Sequence, residues 1–206
     1  MSTDLLKQIR GKSRKMLLVI NVIKWGGVVL FIAAMGLLIW ASFSPAEAFV
    51  AEKGVAHWSV SASIFGQGMF RAIIPFSILQ PLTIDMFQVK AAFITFFLFR
   101  TLTFFPLFLY GVVQLQKIFY SIRETNTPFS AEIASRLRNI SYVIILYALI
   151  ADLFINIAIT TFVTNILYID LLNVSISGLT VGVLVLIISH IFRYGSYLQD
   201  EFDTTL

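Results

Sequence analysis

The stretch MFQVKAAFITFFLFRTLTFFPLFLYGVV, Met86 to Val113, decides how the rest of the chain is read. It is an apolar run long enough to cross a hydrocarbon core of about 30 Å, which takes roughly 20 helical residues. It contains Arg100 and Pro106. Three further blocks of the same kind lie around it, at about 16–43, 140–165 and 172–194. The first is too long for a signal peptide and lacks a small-residue cleavage pattern, so it reads as a retained span. Composition agrees. Of 206 residues, 58% are hydrophobic and 13% charged, and the mean hydropathy is +0.88. Soluble domains carry roughly 45–50% apolar and about 25% charged residues. A cytosolic enzyme, a disordered chain and a disulfide scaffold are thereby excluded. The lack of cysteine removes thiolate catalysis, iron–sulfur clusters and cysteine zinc sites.

The expected fold class is an all-α integral membrane protein with four transmembrane helices, drawn as a four-helix bundle. A basic N-terminus (1–15) precedes the first span (16–43), and a long loop (44–85) leads to the second (86–113, its helix extending to about 122). A connection (114–139) enters the third span (140–165), a short turn (166–171) the fourth (172–194), and a tail follows (195–206). Orientation follows from Lys and Arg near the spans. Lys7, Arg10, Lys12, Arg14 and Lys15 precede the first, and Lys117, Arg123, Arg136 and Arg138 lie between the second and third. The long loop has only Lys53 and Arg71, and the turn has none. Both termini are therefore expected in the cytoplasm. The net charge of +4 is read as topology and contact with anionic lipid, with no direct nucleic-acid binding.

Within the long loop, Trp58 to Ile64 alternates strictly: Trp58, Val60, Ala62 and Ile64 on one face, three serines on the other. That is a strand signal. Gly66-Gln67-Gly68 reads as a turn and Met69 to Ile74, ending at Pro75, as a second strand, giving a small extracytoplasmic β-hairpin. Asp85 and Gln88 read as a capping box opening the second long helix.

The connection holds Asn126-Thr127-Pro128-Phe129-Ser130-Ala131-Glu132-Ile133, then Arg136-Leu137-Arg138-Asn139-Ile140. Pro128 forces Thr127 out of the helical region, and Ser130 is placed to cap the next helix. Ile133, Leu137 and Ile140 make one apolar stripe, with Glu132 and Arg136 elsewhere. This amphipathic connector reads as a helix–loop–helix joint or, alternatively, as a docking surface for a cytoplasmic partner. The chain closes with Ile191-Phe192-Arg193-Tyr194-Gly195-Ser196-Tyr197-Leu198-Gln199-Asp200-Glu201-Phe202-Asp203. Gly195 lets the chain leave the helix or pack closely. The tail, with Leu198, Glu201 and Asp203, is expected to fold back on residues 128–139, Leu198 and Phe202 meeting Ile133 and Leu137.

These two segments together resemble the domain-of-unknown-function family 2975 (DUF2975), small four-span bacterial membrane proteins without an established activity. The resemblance covers roughly 87–206 and implies a location, the bacterial plasma membrane. It also implies a context, near a small helix-turn-helix regulator or peptide-toxin genes.

Arg100 and Asp152 each lie about mid-span in neighbouring antiparallel helices, and at 1.5 Å per residue they fall at similar depth. An isolated charge there costs about 2.5–3.5 kcal/mol on insertion scales, so the two are expected to pair. Asn156, one turn beyond Asp152, is expected to assist the guanidinium. The pair reads as a structural ion pair, as a proton or ion relay, or as the lining of a water-filled cavity. Lys24 is placed to snorkel to headgroups. His57 and His190 are too far apart for a metal site, and no cofactor is expected. No H-E-x-x-H, G-x-S-x-G, P-loop or dinucleotide pattern occurs.

The expected function is a non-catalytic regulatory, sensing or peptide-toxin self-protection component that acts through binding. Its partners would be the lipid bilayer, an extracellular peptide or a cytoplasmic helix-turn-helix regulator. The alternative is a small proton- or ion-coupled transporter or channel, working as a homo-oligomer around Arg100 and Asp152.

Overall fold

A computed structural model describes residues 3–64, 68–78, 88–125, 129–163 and 174–204. In chain order these form α1 (Thr3–Phe43), a 3-10 turn (Ala46–Ala48), β1 (Phe49–Lys53), β2 (His57–Ile64), β3 (Gly68–Pro75), α2 (Val89–Thr125), α3 (Ala131–Val163) and α4 (Ile176–Thr204). Among the described residues four helical stretches are long and apolar enough to cross a membrane: Ser13–Phe43, Val89–Glu124, Ala131–Val163 and Ile176–Gln199. The chain is a multi-pass membrane protein. It divides into two compact units, and α1, α2 and α3 contribute residues to each.

One unit comprises 30–104 and 148–175 and holds the sheet. α1 ends before Pro45, whose ring removes a donor. The hydroxyls of Ser42 and Ser44 donate back to the Leu38 and Trp40 carbonyls at 2.8 and 2.9 Å. Lys90 Nζ then donates to the carbonyls of Ser42 (2.9 Å) and Ser44 (2.6 Å). A cation thus meets the carbonyl-rich end of a helix, where its charge is favourable.

The expected hairpin is a three-stranded antiparallel meander, β1-β2-β3. β1 is the strand the sequence reading missed. Ala51, Glu52 and Lys53 are poor strand formers, and only pairing with β2, Phe49 to Ala62 through Lys53 to Trp58, makes them extended. The alternation in β2 is as read: Trp58, Val60 and Ala62 are fully buried. With Phe49, Ala72 and Ile74 they pack in one core with Phe93 of α2 and Ile155 and Ile159 of α3. Ring contacts reinforce it, Phe93 lying 5.3 Å from Phe49 and 5.4 Å from Phe97. The opposite face carries Val50, Glu52, Arg71 and Ile73, with Ser59 and Ser61 between them. The turn expected at Gly66-Gln67-Gly68 and the cap expected from Asp85 lie outside the described residues. α2 itself starts at Val89, with Ala92 N–H donating to the Gln88 carbonyl at 2.9 Å.

The other unit comprises 1–29, 105–147 and 176–206. Its core is built on the expected stripe: Ile133 and Ile140 are buried with Ile118, and Leu137, Val185 and Phe192 pack around them. The connector is thus no separate surface turn. It is the first part of α3, continuous with the third span. Ser130 caps it, Oγ accepting from the Ile133 N–H at 3.2 Å. α4 differs from expectation in the same way. It runs unbroken through Gly195 to Thr204, so the tail prolongs the helix where a fold-back was expected. Two of its residues, Phe192 and Gly195, lie against Phe129. A Cβ at position 195 would stand 2.8 Å from Phe129 Cδ1, so glycine here serves close packing. Gly182 does the same, since a Cβ there would stand 2.5 Å from Ile145 Cγ1. Its carbonyl accepts from the Ser141 hydroxyl at 2.9 Å, the small-residue packing that membrane helices use.

Candidate functional site

In the sheet-bearing unit, α2 presents Arg100 and α3 presents Asp152, and Arg100 Nη1 lies 3.1 Å from Asp152 Oδ1. The pair is open, its side chains 49% and 33% exposed. It lines a cleft of about 240 Å³ whose remaining wall includes Ile73 of β3, Ser77, Ile78 and Phe96. The two residues expected to pair at similar depth are in contact.

Asn156 shares the face of Asp152 but does other work. Only 1% exposed, it donates through Nδ2 to the carbonyls of Ser77 and Ile78, at 3.4 and 3.3 Å. Both carbonyls lie beyond β3, and Ile78 is buried, where a backbone acceptor requires a donor. They take the amide that the sequence reading assigned to the guanidinium. Asn156 Oδ1 has no partner among the described residues. Thr160 Oγ1, one turn further, donates to the Asn156 carbonyl at 2.9 Å. The result ties the base of β3 to α3 one turn from the ion pair.

The other expected site residues lie in the second unit. Glu132 accepts from Arg136 Nη2 four residues on and from the Ser121 hydroxyl of α2 at 3.0 Å. Arg136 Nη1 reaches Gln114 Oε1 of α2 at 3.3 Å. The motif's polar face is therefore a joint between α2 and α3. Leu137 belongs to the core, and Arg138 faces a cleft it shares with α4. Leu198 is half-buried and Glu201 exposed on α4. Pro128 and the Asp203 side chain lie outside the described residues.

Lys24 has a partner on α2. Its ammonium donates to Gln116 Oε1 at 3.2 Å, and Gln116 Nε2 donates to Asn21 Oδ1 at 3.2 Å. Ser13 adds a further link from α1, donating to the Phe119 carbonyl at 2.9 Å. Glutamines at 114 and 116 inside an apolar run were the available signal for these contacts.

The family model described as "Protein of unknown function (DUF2975)" matches residues 86–206. The chain belongs to that family. The match takes in Arg100, Asp152, the Phe129–Arg138 segment and α4. No curated protein and no solved structure matches.

Proposed function

We propose that the chain is a non-catalytic binding protein of a bacterial plasma membrane, a sensing or self-protection component that takes its ligand at the Arg100–Asp152 cleft. Both termini are cytoplasmic in this reading and the sheet faces outward, because Lys and Arg concentrate before α1 and between α2 and α3. The ligand is an external peptide or lipid, and the response is read by a cytoplasmic regulator.

The observation that carries the reading is the openness of the pair. A charge at mid-span is expensive, and intramembrane ionisable residues mark function by default. An ion pair serving helix register alone is best sealed between its helices. Here half of Arg100 is accessible beside the sheet, leaving guanidinium donors for an incoming carboxylate, carbonyl or phosphate oxygen. Coupling has a physical route as well. Asn156 binds the base of β3, and the helix bearing Asp152 and Asn156 also carries Glu132 and Arg136 at its other end.

The runner-up, a proton- or ion-coupled transporter working as an oligomer, draws on the same mid-span charges. Flux separates the two. Proteoliposomes holding the full chain and a pH-sensitive dye, under an imposed gradient, should leak no faster than empty vesicles. A leak that disappears with Asp152→Asn would overturn binding in favour of transport.

A further inference from the structure

Arg71, Arg100 and Arg136 each face a carboxylate: Glu52, Asp152 and Glu132. Arg138 and Arg193 face none among the described residues. They meet across a cleft of about 260 Å³ between α3 and α4, which Ser135, Ser189 and His190 also line. No acidic residue is among the described residues of its wall. The wall thus presents two guanidinium groups, an imidazole and the Ser135 hydroxyl, while the buried Ser189 hydroxyl donates to the Leu186 carbonyl at 2.7 Å. That set suits an anion with several acceptor oxygens.

The position of the cleft narrows the anion's source. The apolar run of α3 begins at Ile140, two residues beyond Arg138, and that of α4 ends at Phe192, next to Arg193. Both arginines therefore mark the edge of the apolar zone, where headgroups lie. On α4, Ile187 and Tyr194 stand three before and four after His190, on its face of the helix. Both are exposed, as is Ile191, so an apolar strip leads away from the cations toward the hydrocarbon.

We propose that this cleft binds the phosphate of an anionic phospholipid, with an acyl chain along Ile187 and Ile191. The site does not depend on the function proposed above or on the orientation of the chain. Arg138 and Arg193 hold the phosphate oxygens, His190 adds a ring N–H, and the zwitterionic phospholipids are discriminated against by their own ammonium group.

Native mass spectrometry of the detergent-solubilised full chain tests this, with dioleoylphosphatidylglycerol, dioleoylphosphatidylcholine and inorganic phosphate as probes. Phosphatidylglycerol should be retained as a discrete adduct and phosphatidylcholine should not. Each basic residue near an anionic surface is worth enough that Arg138→Gln with Arg193→Gln should weaken retention roughly 30-fold. The matched pair Lys53→Gln with Arg71→Gln removes the same charge from the sheet and should change it little. His190→Gln, a neutral replacement at an exposed position, should give a smaller loss in the same direction and keeps the test open if the double variant fails to fold. Equal retention of the two lipids, or equal losses in the two charge-matched variants, would overturn the proposal. So would displacement of phosphatidylglycerol by excess inorganic phosphate, which would assign the cleft to a soluble anion.

Discussion

The ring of Phe129 fills the space that a side chain at position 195 would need, its Cδ1 only 2.8 Å from where a Cβ would stand. The same ring lies 5.2 Å from that of Phe192. The segment that opens α3 is therefore seated on α4 by one aromatic contact and one missing side chain. Gly195→Leu should destabilise the protein by about 1–3 kcal/mol, the usual cost of overpacking, despite leucine's better helix propensity. Phe129→Ala in the same background should recover part of the loss. Thermal melts in detergent check it, and a Gly195→Leu variant melting at or above the parent's temperature would show that the contact does not constrain α4.

Arg100 and Asp152 should behave as a coupled pair. Arg100→Ala and Asp152→Ala each leave one charge unpaired, a loss that can reach about 3–5 kcal/mol for a buried pair and should be smaller at this half-open one. Changing both to apolar residues should recover part of the stability. Melting temperature and membrane yield of the four proteins close the cycle. A double variant as damaged as the sum of the singles would mean that the 3.1 Å contact carries no coupling.

Asn156→Leu removes the amide donor to the Ser77 and Ile78 carbonyls while keeping the side chain's branching and heavy-atom count. Leaving the acceptor of buried Ile78 without this donor costs about 1–3 kcal/mol, and the effect should concentrate at the base of β3. Hydrogen exchange should speed up over β3 and stay near parent values over α4. Uniform acceleration across both would indicate that the amide has no local anchoring role.

Reporter fusions after Thr125 and after Leu206 should read cytoplasmic, and one inserted after Phe65 should read external. The Lys and Arg counts alone drive this expectation. A cytoplasmic signal at Phe65 would invert the orientation on which the external-ligand reading depends.

Much of the fold was legible because lipid is an unforgiving solvent. A span must satisfy its own backbone, so each long apolar run could only be a helix, and the alternation of Trp58, Val60 and Ala62 against serines marked a strand, although Ser59 and Ser61 are buried as well. The pairing of Arg100 with Asp152 followed from depth and the cost of an isolated charge. What escaped depended on partners far along the chain. β1 is extended only because β2 pairs with it, and Ala51, Glu52 and Lys53 carry no strand preference of their own. Helix ends were misjudged where polar residues continue an apolar helix, at Ala131 to Asn139 and beyond Gly195, because hydropathy reports the membrane's limits and says nothing of the helix's. Asn156 and Lys90 bind backbone carbonyls, which leave no trace in side-chain sequence.

The central claim is that the Arg100–Asp152 cleft takes a ligand, and a photo-reactive residue at Ile73, on the cleft wall, tests it most directly in native membranes. The account expects labelling of a discrete species. It should fall about tenfold with Arg100→Gln combined with Asp152→Asn, the loss of one charge-assisted hydrogen bond, while the sheet stays folded. Labelling spread over bulk lipid, unchanged by the double replacement, would contradict the claim and leave the pair a structural tie between α2 and α3.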